Sequence, residues 1–89
     1  MAVKILHRDG RFYVRTRGGD AELLYRVSGG VMSMYHTFVP ESERGKGIAA
    51  MLAAEAFRFA IGNGYKVRPD CPYIAHYLEE NKELRKYSV

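Results

Sequence analysis

The stretch VMSMYHTFVPESERGKGIAAMLAAEAF, residues 31–57, changes its hydrophobic period partway along. Residues 31–39 alternate as a β-strand does, and Pro40 ends the strand because proline cannot donate a hydrogen bond to a continuing ladder. From Gly47 the apolar residues recur at three- and four-residue steps, which predicts a helix that stops at Gly62-Asn63-Gly64. A loop therefore joins this strand to the helix.

Within the strand, a period of two divides the side chains between two faces of a sheet. One face is predicted to carry Met32, Met34, His36 and Phe38, and the other Ser33, Tyr35 and Thr37. The apolar stripe on the first face is expected to lie in the core, since methionine and phenylalanine are usually buried.

The residues before this strand predict an antiparallel meander, because short β-rich segments alternate with turn signals. Asp9-Gly10 is a strong hairpin signal, and Gly18-Gly19 and Ser28-Gly29-Gly30 mark two further turns. The expected strands are residues 3–7, 11–15, 22–27 and 31–39.

A strand–helix–strand crossover predicts that a fifth strand, residues 65–68, runs parallel to the fourth. A second helix is expected after Asp70-Cys71-Pro72. Its predicted buried stripe is Ile74, Tyr77, Leu78 and Leu84. The predicted fold class is α+β: a mostly antiparallel five-stranded sheet with one parallel pair and two main helices.

Length and composition predict one domain over residues 1–89, with 47% hydrophobic and 27% charged residues. Neither a membrane span nor a signal-peptide layout is present, so we expect a cytoplasmic protein without a membrane partner. The single cysteine, Cys71, excludes an intramolecular disulfide, and with three histidines it gives no zinc-site spacing. No metal is therefore expected.

The net charge of +4 favours anionic partners, but lysines and arginines are scattered along the chain. The seven tyrosines are not interleaved with a basic cluster, as they would be in a surface that stacks nucleic-acid bases. We therefore expect no nucleic-acid partner.

The loop before the helix combines features of an anion site. The first amides of a helix have no intrahelical partner, and the helix dipole favours negative charge there. Gly45 and Gly47 let a diphosphate approach the backbone, and Arg44 and Lys46 can pair with its oxygens. Alternatively, the two glycines only allow a tight turn, and the side chains of Arg44 and Lys46 are solvated. The spacing matches neither a Walker loop nor a dinucleotide-binding motif.

The run Arg44-Gly45-Lys46-Gly47-Ile48-Ala49 resembles the Arg/Gln-x-x-Gly-x-Gly/Ala signature of the Gcn5-related N-acetyltransferases. His36-Thr37-x-Val39-Pro40 and Cys71-Pro72-Tyr73-Ile74 are similar to segments of the small, single-domain branch of that superfamily. The resemblance covers residues 10–84, nearly the whole chain, and implies an abbreviated form of the family's fold.

The resemblance also implies acetyl-CoA as cofactor, lying between the fourth and fifth strands. The pantetheine arm would bond to the backbone near Phe38 and Val39. The pyrophosphate would lie on Arg44, Gly45, Lys46, Gly47, Ile48 and Ala49. The chain departs from larger members in lacking their N-terminal helices and in stopping soon after the second helix, which leaves the acceptor site open.

Cys71 is a candidate nucleophile, because unpaired amides and the dipole at a helix N-terminus raise the thiolate fraction of a cysteine. A thiolate could accept the acetyl group and pass it on, as is proposed for the small family branch. A lone cysteine is otherwise most often a small buried hydrophobe.

Three further side chains can move protons. His36 has the intrinsic pKa of a general base, or is a hydrogen-bonded histidine at a sheet–helix interface. Tyr73 could protonate the leaving thiolate, as tyrosines do in related enzymes, or simply pack in the core. His76 is expected to be exposed.

The sequence thus predicts transfer of an acetyl group to an amine acceptor, either directly or through Cys71. The alternative is a module that binds acyl-CoA with little catalysis. The acceptor, a small molecule or a protein lysine, is left open, and the resemblance suggests a monomer.

Overall fold

The computed structural model describes residues 3–89. Its strands are β1 (Leu6–Arg8), β2 (Arg11–Thr16), β3 (Gly19–Ser28), β4 (Val31–Phe38) and β5 (Lys66–Pro69). Its helices are α1 (Ile48–Gly62) and α2 (Pro72–Glu80), with 3-10 segments at Glu41–Glu43 and Lys82–Tyr87. No helix in the described range is both long and apolar enough to cross a membrane.

The strands lie in sequential order in one sheet, antiparallel from β1 to β4, with β5 parallel to β4. The predicted α+β fold is confirmed. The first strand was placed too early, because pairing with β2 begins only at Leu6, opposite Tyr13. The fifth strand begins at Lys66 rather than at Tyr65.

The core lies between the sheet and the two helices. The alanines of α1 at positions 53, 56 and 60 are fully buried, which lets the helix pack closely on the sheet. The largest fully buried side chains are Phe12, Leu23, Met32, Met34, Leu52, Phe57, Val67 and Ile74. Leu84 packs against this core from the second 3-10 segment, not from α2 as predicted.

A β-bulge in β4 changes which side chains face the helices. Met34 pairs with Tyr25 and His36 pairs with the next residue of β3, Leu24, so Tyr35 is an extra residue in the ladder. One extra residue reverses the faces of every side chain that follows it.

The predicted face of β4 is therefore wrong beyond Met34. Met32 and Met34 are fully buried beneath the helices, whereas Phe38 is 44% exposed. Thr37, opposite the buried Leu23, takes the position on the helix side. His36 lies on the opposite face of the sheet, here called the open face.

The parallel pair of strands separates halfway along β4. β5 pairs with β4 only from Val31 to Met34. The backbone N–H of Cys71 then donates to the carbonyl oxygen of Met34 at 2.9 Å, and the chain leaves the sheet as α2. Beyond Met34, no strand of the described chain pairs with β4 on that side, and this gap is here called the splay.

Candidate functional site

The loop between β4 and α1 turns through two glycines in the left-handed region, where side chains are disfavoured. The φ angle is 81° at Gly45 and 78° at Gly47. A Cβ atom at either position would meet no other atom within 4 Å in the described chain. The glycines thus fulfil a conformational need, and the surface in front of them is open to a ligand.

The N-terminus of α1 presents unpaired amides at this surface. Gly47 is the N-cap residue, and no side chain caps the helix. The N–H of Met51 is the first to reach back, donating to the carbonyl of Gly47 at 3.1 Å. The N–H groups of residues 48–50 therefore lack intrahelical acceptors and, with the helix dipole, favour an anion.

The two loop cations are tethered. Arg44 donates through Nε to the carbonyl oxygen of Val39 at 2.9 Å, which leaves its terminal nitrogens for phosphate oxygens. Lys46 Nζ pairs with Glu43 Oε1 at 3.1 Å. Sequence reasoning did not weigh Glu43, a carboxylate that offsets the charge of Lys46.

Cys71 lies at the splay as the N-cap residue of α2, where the sequence predicted it. Its side chain is 5% exposed and packs within the core. Its Sγ donates to Thr37 Oγ1 at 3.5 Å. The cysteine thus has both predicted attributes, a helix N-terminus and burial.

Thr37 was not identified from the sequence, because the period of two placed it on the other face. Only its position within the His36-Thr37-x-Val39-Pro40 segment could have drawn attention to it.

The turn before Cys71 is fixed by Asp70. Its Oδ2 accepts from Ser33 Oγ on β4 and, at 2.8 Å, from Arg68 Nε on β5. These two hydrogen bonds lower the pKa of Asp70 below its usual value. The ionised carboxylate therefore links both strands of the splay to the start of α2.

Tyr73 lies in the first turn of α2, half-buried against the core, with its ring centroid 6.4 Å from that of Tyr77. Burial raises the pKa of Tyr73, and Tyr77 and Glu80 raise it further. At neutral pH its hydroxyl is protonated and can donate. The packing role that the sequence offered is also present.

His36 lies on the open face with half of its side chain exposed, and its Nε2 is 4.0 Å from Glu22 Oε2. The expectation of a histidine at the sheet–helix interface is wrong, because the bulge turns it away from the helices. Glu22 also accepts from Arg11 Nε at 2.8 Å.

The predicted residues therefore form two groups on either side of the sheet. Cys71 and Tyr73 share the helix side with Thr37, whereas His36 and the ring of Phe38 are exposed on the open face. His76 is exposed as predicted, 3.3 Å from Glu80. It lies in the middle of α2, three residues after Tyr73.

Residues 11–87 match a family model described as GCN5-related N-acetyl-transferase. Protein NATD1 from Homo sapiens is 39% identical over 77 residues, which cover 83% of this chain and 68% of that protein. Protein NATD1 from Gallus gallus is 39% identical over 74 residues, covering 80% and 67%.

The same architecture occurs in a solved structure. A GCN5-like protein from Staphylococcus aureus, determined by NMR in solution, has a TM-score of 0.79 at 24% identity. The similarity covers 97% of this chain and 87% of that one, and it establishes the shared fold. With the family model matched over most of its length, this chain belongs to the GCN5-related N-acetyltransferase family.

Proposed function

We propose that this protein takes the acetyl group of acetyl-CoA and transfers it to an amine. Family membership supports a role in acetyl transfer in general. The donor assignment depends on the N-terminus of α1, which no side chain caps. This helix follows β4, whose edge beyond Met34 is not paired with β5. A cytoplasmic location and a monomeric state stay predictions.

The residues of the loop fit the donor's pyrophosphate. Left-handed glycines at 45 and 47 expose the backbone, and the amides of residues 48–50 supply donors without displacing a side-chain cap. Arg44 adds a guanidinium that can bond two phosphate oxygens. Along the splay, the backbone near Phe38 and Val39 is proposed to hold the pantetheine arm, in the manner of an added strand.

Direct transfer places the acceptor on the open face. When bound, the donor supplies a thioester carbonyl that an amine can attack. His36 accepts a proton from the attacking amine, and its exposure allows the proton to pass to water. Tyr73 donates its hydroxyl proton to the departing thiolate from the helix side.

A two-step route uses Cys71 instead. Its thiolate would attack the same carbonyl, the C–S bond of the donor thioester would break with CoA leaving as its thiolate, and the acetyl-cysteine would then pass its acetyl group to the amine. The thiol donates to Thr37 Oγ1 before this step, and the Thr37 hydroxyl could donate to Sγ once the thiol has lost its proton. The 5% exposure of Cys71 limits access to the thiol, so burial favours the direct route.

Native mass spectrometry with acetyl-CoA tests the donor site, and release of free CoA with added amines tests transfer. We expect a complex in wild type and in Cys71→Ala, and CoA release that depends on the amine. A covalent acetyl adduct that is present in wild type and absent in Cys71→Ala would instead indicate the two-step route. No complex would contradict the donor site, and a complex without turnover across many amines would leave only a binding module.

The two histidines provide a matched pair for the same assay. Removal of a general base costs about 10²–10⁴-fold in turnover. We expect that loss in His36→Ala and wild-type turnover in His76→Ala. Equal activity in the two variants would contradict the role of His36.

A further inference from the structure

Within residues 3–89, no helix packs on the open face of the sheet, because α1 and α2 both cover the other face. The side chains on the open face alternate along β2 and β3 with the buried ones; they are Arg11, Tyr13, Arg15, Asp20, Glu22, Leu24 and Arg26. Arg8 lies on the same face, since it is opposite Arg11 in the sheet register. Arginines that are scattered in the sequence therefore meet on one surface.

Three arginines of this face have no acidic partner. Arg8, Arg15 and Arg26 are exposed, and within residues 3–89 no carboxylate lies at ion-pair distance from any of them. The guanidinium carbon of Arg15 is 5.9 Å from the ring centroid of Tyr13, and that of Arg26 is 4.6 Å from the ring centroid of Tyr35. These contacts hold two of the guanidinium groups in place and leave their N–H groups for a carboxylate.

The two carboxylates on β3 share one arginine. Arg11 donates to Asp20 Oδ2 at 3.0 Å and to Glu22 Oε1 at 2.8 Å. The second carboxylate oxygen of Glu22, Oε2, is left on the side of His36, 4.0 Å from its Nε2. The open face thus combines unpaired cations with one carboxylate oxygen next to the proposed base.

We propose that the open face binds an acidic protein segment that presents the acceptor lysine, an inference that rests on the proposed function. Aspartates or glutamates of the segment pair with Arg8, Arg15 and Arg26, which supply the charge complementarity. The lysine arrives as an ammonium ion, and Glu22 Oε2 attracts it to His36. Transfer then follows the direct route.

Two features of the open face favour a peptide over a nucleic acid. A nucleic acid has a phosphate at every nucleotide, and the carboxylates of Asp20, Glu22 and Asp70 would repel such a regular row of charges. The ring of Tyr13 is 5% exposed beneath two arginines and is not available to stack on a base. A peptide, by contrast, can place carboxylates against the arginines and a lysine against Glu22. The exposed ring of Tyr35 adds an aromatic contact of the kind that is enriched in protein interfaces.

The test measures the affinity of wild type for two labelled peptides by fluorescence anisotropy, without the donor. Each peptide has a blocked N-terminus and a single lysine, which is flanked by glutamates in one and by glutamines in the other. Three exposed ion pairs are expected to give the glutamate peptide about tenfold higher affinity at low salt. The preference should shrink as salt is raised. Equal affinity of wild type for the two peptides would overturn the inference.

Two double variants locate the preference on the protein. Arg15→Gln/Arg26→Gln, the open-face variant, should keep only about a twofold preference, because Arg8 alone is left without an acidic partner. Arg85→Gln/Lys86→Gln removes the same charge from exposed positions in the second 3-10 segment and should keep the tenfold preference. A tenfold preference in the open-face variant would overturn the inference, as would an equal decrease in both variants.

A single-stranded DNA oligonucleotide of the same length tests the other class of polyanion. It should displace the labelled glutamate peptide from wild type only weakly. Displacement at a lower concentration than the unlabelled glutamate peptide requires, and at a higher one in the open-face variant, would assign the face to nucleic acid and overturn the inference.

Release of free CoA separates this inference from the proposed function. With acetyl-CoA, the glutamate peptide should show a lower KM than the glutamine peptide at a similar kcat. Release with small amines but with neither peptide would leave the proposed function intact and overturn the inference. Absence of release with every amine would contradict the proposed function itself.

Wild-type NMR spectra decide the matter should the open-face variant fail to fold. The arginine Nε–H signals of residues 8, 15 and 26 should shift with the glutamate peptide and not with the glutamine peptide. Signals that stay unshifted with the glutamate peptide would overturn the inference.

Discussion

At the scale of single residues, two phenylalanines differ in environment although both follow the hydrophobic pattern. Phe57 is 1% exposed and its ring stacks on that of Tyr77 with centroids 5.7 Å apart. Phe38 is 44% exposed, because the bulge at Tyr35 turns it to the open face.

Alanine at these two positions tests the side on which each ring lies. Phe57→Ala should lower the free energy of unfolding by about 3–5 kcal/mol, the usual cost of deleting a buried aromatic ring. Phe38→Ala should lower it by less than about 1 kcal/mol. Urea denaturation measures both. Comparable decreases in the free energy of unfolding would mean that Phe38 is buried and would contradict the β-bulge at Tyr35.

These residues also show where prediction from sequence fails. The period of two located Met32 and Met34 correctly, since both precede the bulge. It failed for His36, Thr37 and Phe38, which follow the bulge. A bulge depends on how β3 pairs with β4 and cannot be recognised from the sequence of β4 alone. The local hydrophobic pattern thus predicts core residues more reliably than it predicts residues of the site.

At the scale of elements, α1 has a glycine at each end, and the two glycines differ in backbone conformation. Gly47, the N-cap residue, has a φ of 78° and presents the amides of the first turn. Gly62, the last helical residue, has no positive φ, and a Cβ there would meet no atom within 4 Å. The same substitution should therefore act in opposite directions at the two ends.

We expect Gly47→Ala to lower the free energy of unfolding by about 1–2 kcal/mol, the cost of a left-handed conformation for an L-residue. It should also weaken binding of coenzyme A, because relief of the strain moves the amides. Gly62→Ala should raise stability by about 0.4–1 kcal/mol by restricting the unfolded chain. Thermal unfolding and calorimetric titration measure the two effects. Unchanged stability and affinity in Gly47→Ala would contradict the loop geometry.

The elements themselves were largely predictable. Turn glycines and the change of period located the five strands and both helices, whereas the ends depended on tertiary pairing. The apolar spacing of α2 runs on to Leu84, but Asn81 at φ −132° and ψ 65° ends the helix. Residues 3–5 look like a strand, and the observed register would set them opposite residues 14–16 of β2, yet the pairing with β2 begins only at Leu6.

At the scale of the whole molecule, the site joins parts distant in sequence. Thr37 and Cys71 are 34 residues apart and meet only because β5 is parallel to β4 and ends early. The loop motif and the resemblance predicted the donor site from one contiguous segment. Contacts across the splay required the fold.

Whole-molecule stability offers a last test of the donor site. Ligand at about 100 times its Kd adds about 2.7 kcal/mol to folding. For a domain of fewer than about 100 residues, each kcal/mol raises Tm by roughly 4–8 °C. Coenzyme A at that excess should therefore raise Tm by about 10–20 °C.

Pantetheine, which has the same arm without phosphates, is the matched control ligand. At the same concentration it should raise Tm by only a small fraction of that shift, because its contacts are confined to the splay. Differential scanning calorimetry measures both. If pantetheine stabilised the protein as much as coenzyme A does, the phosphates would contribute nothing, and the loop at the start of α1 would not be the anchor of the donor.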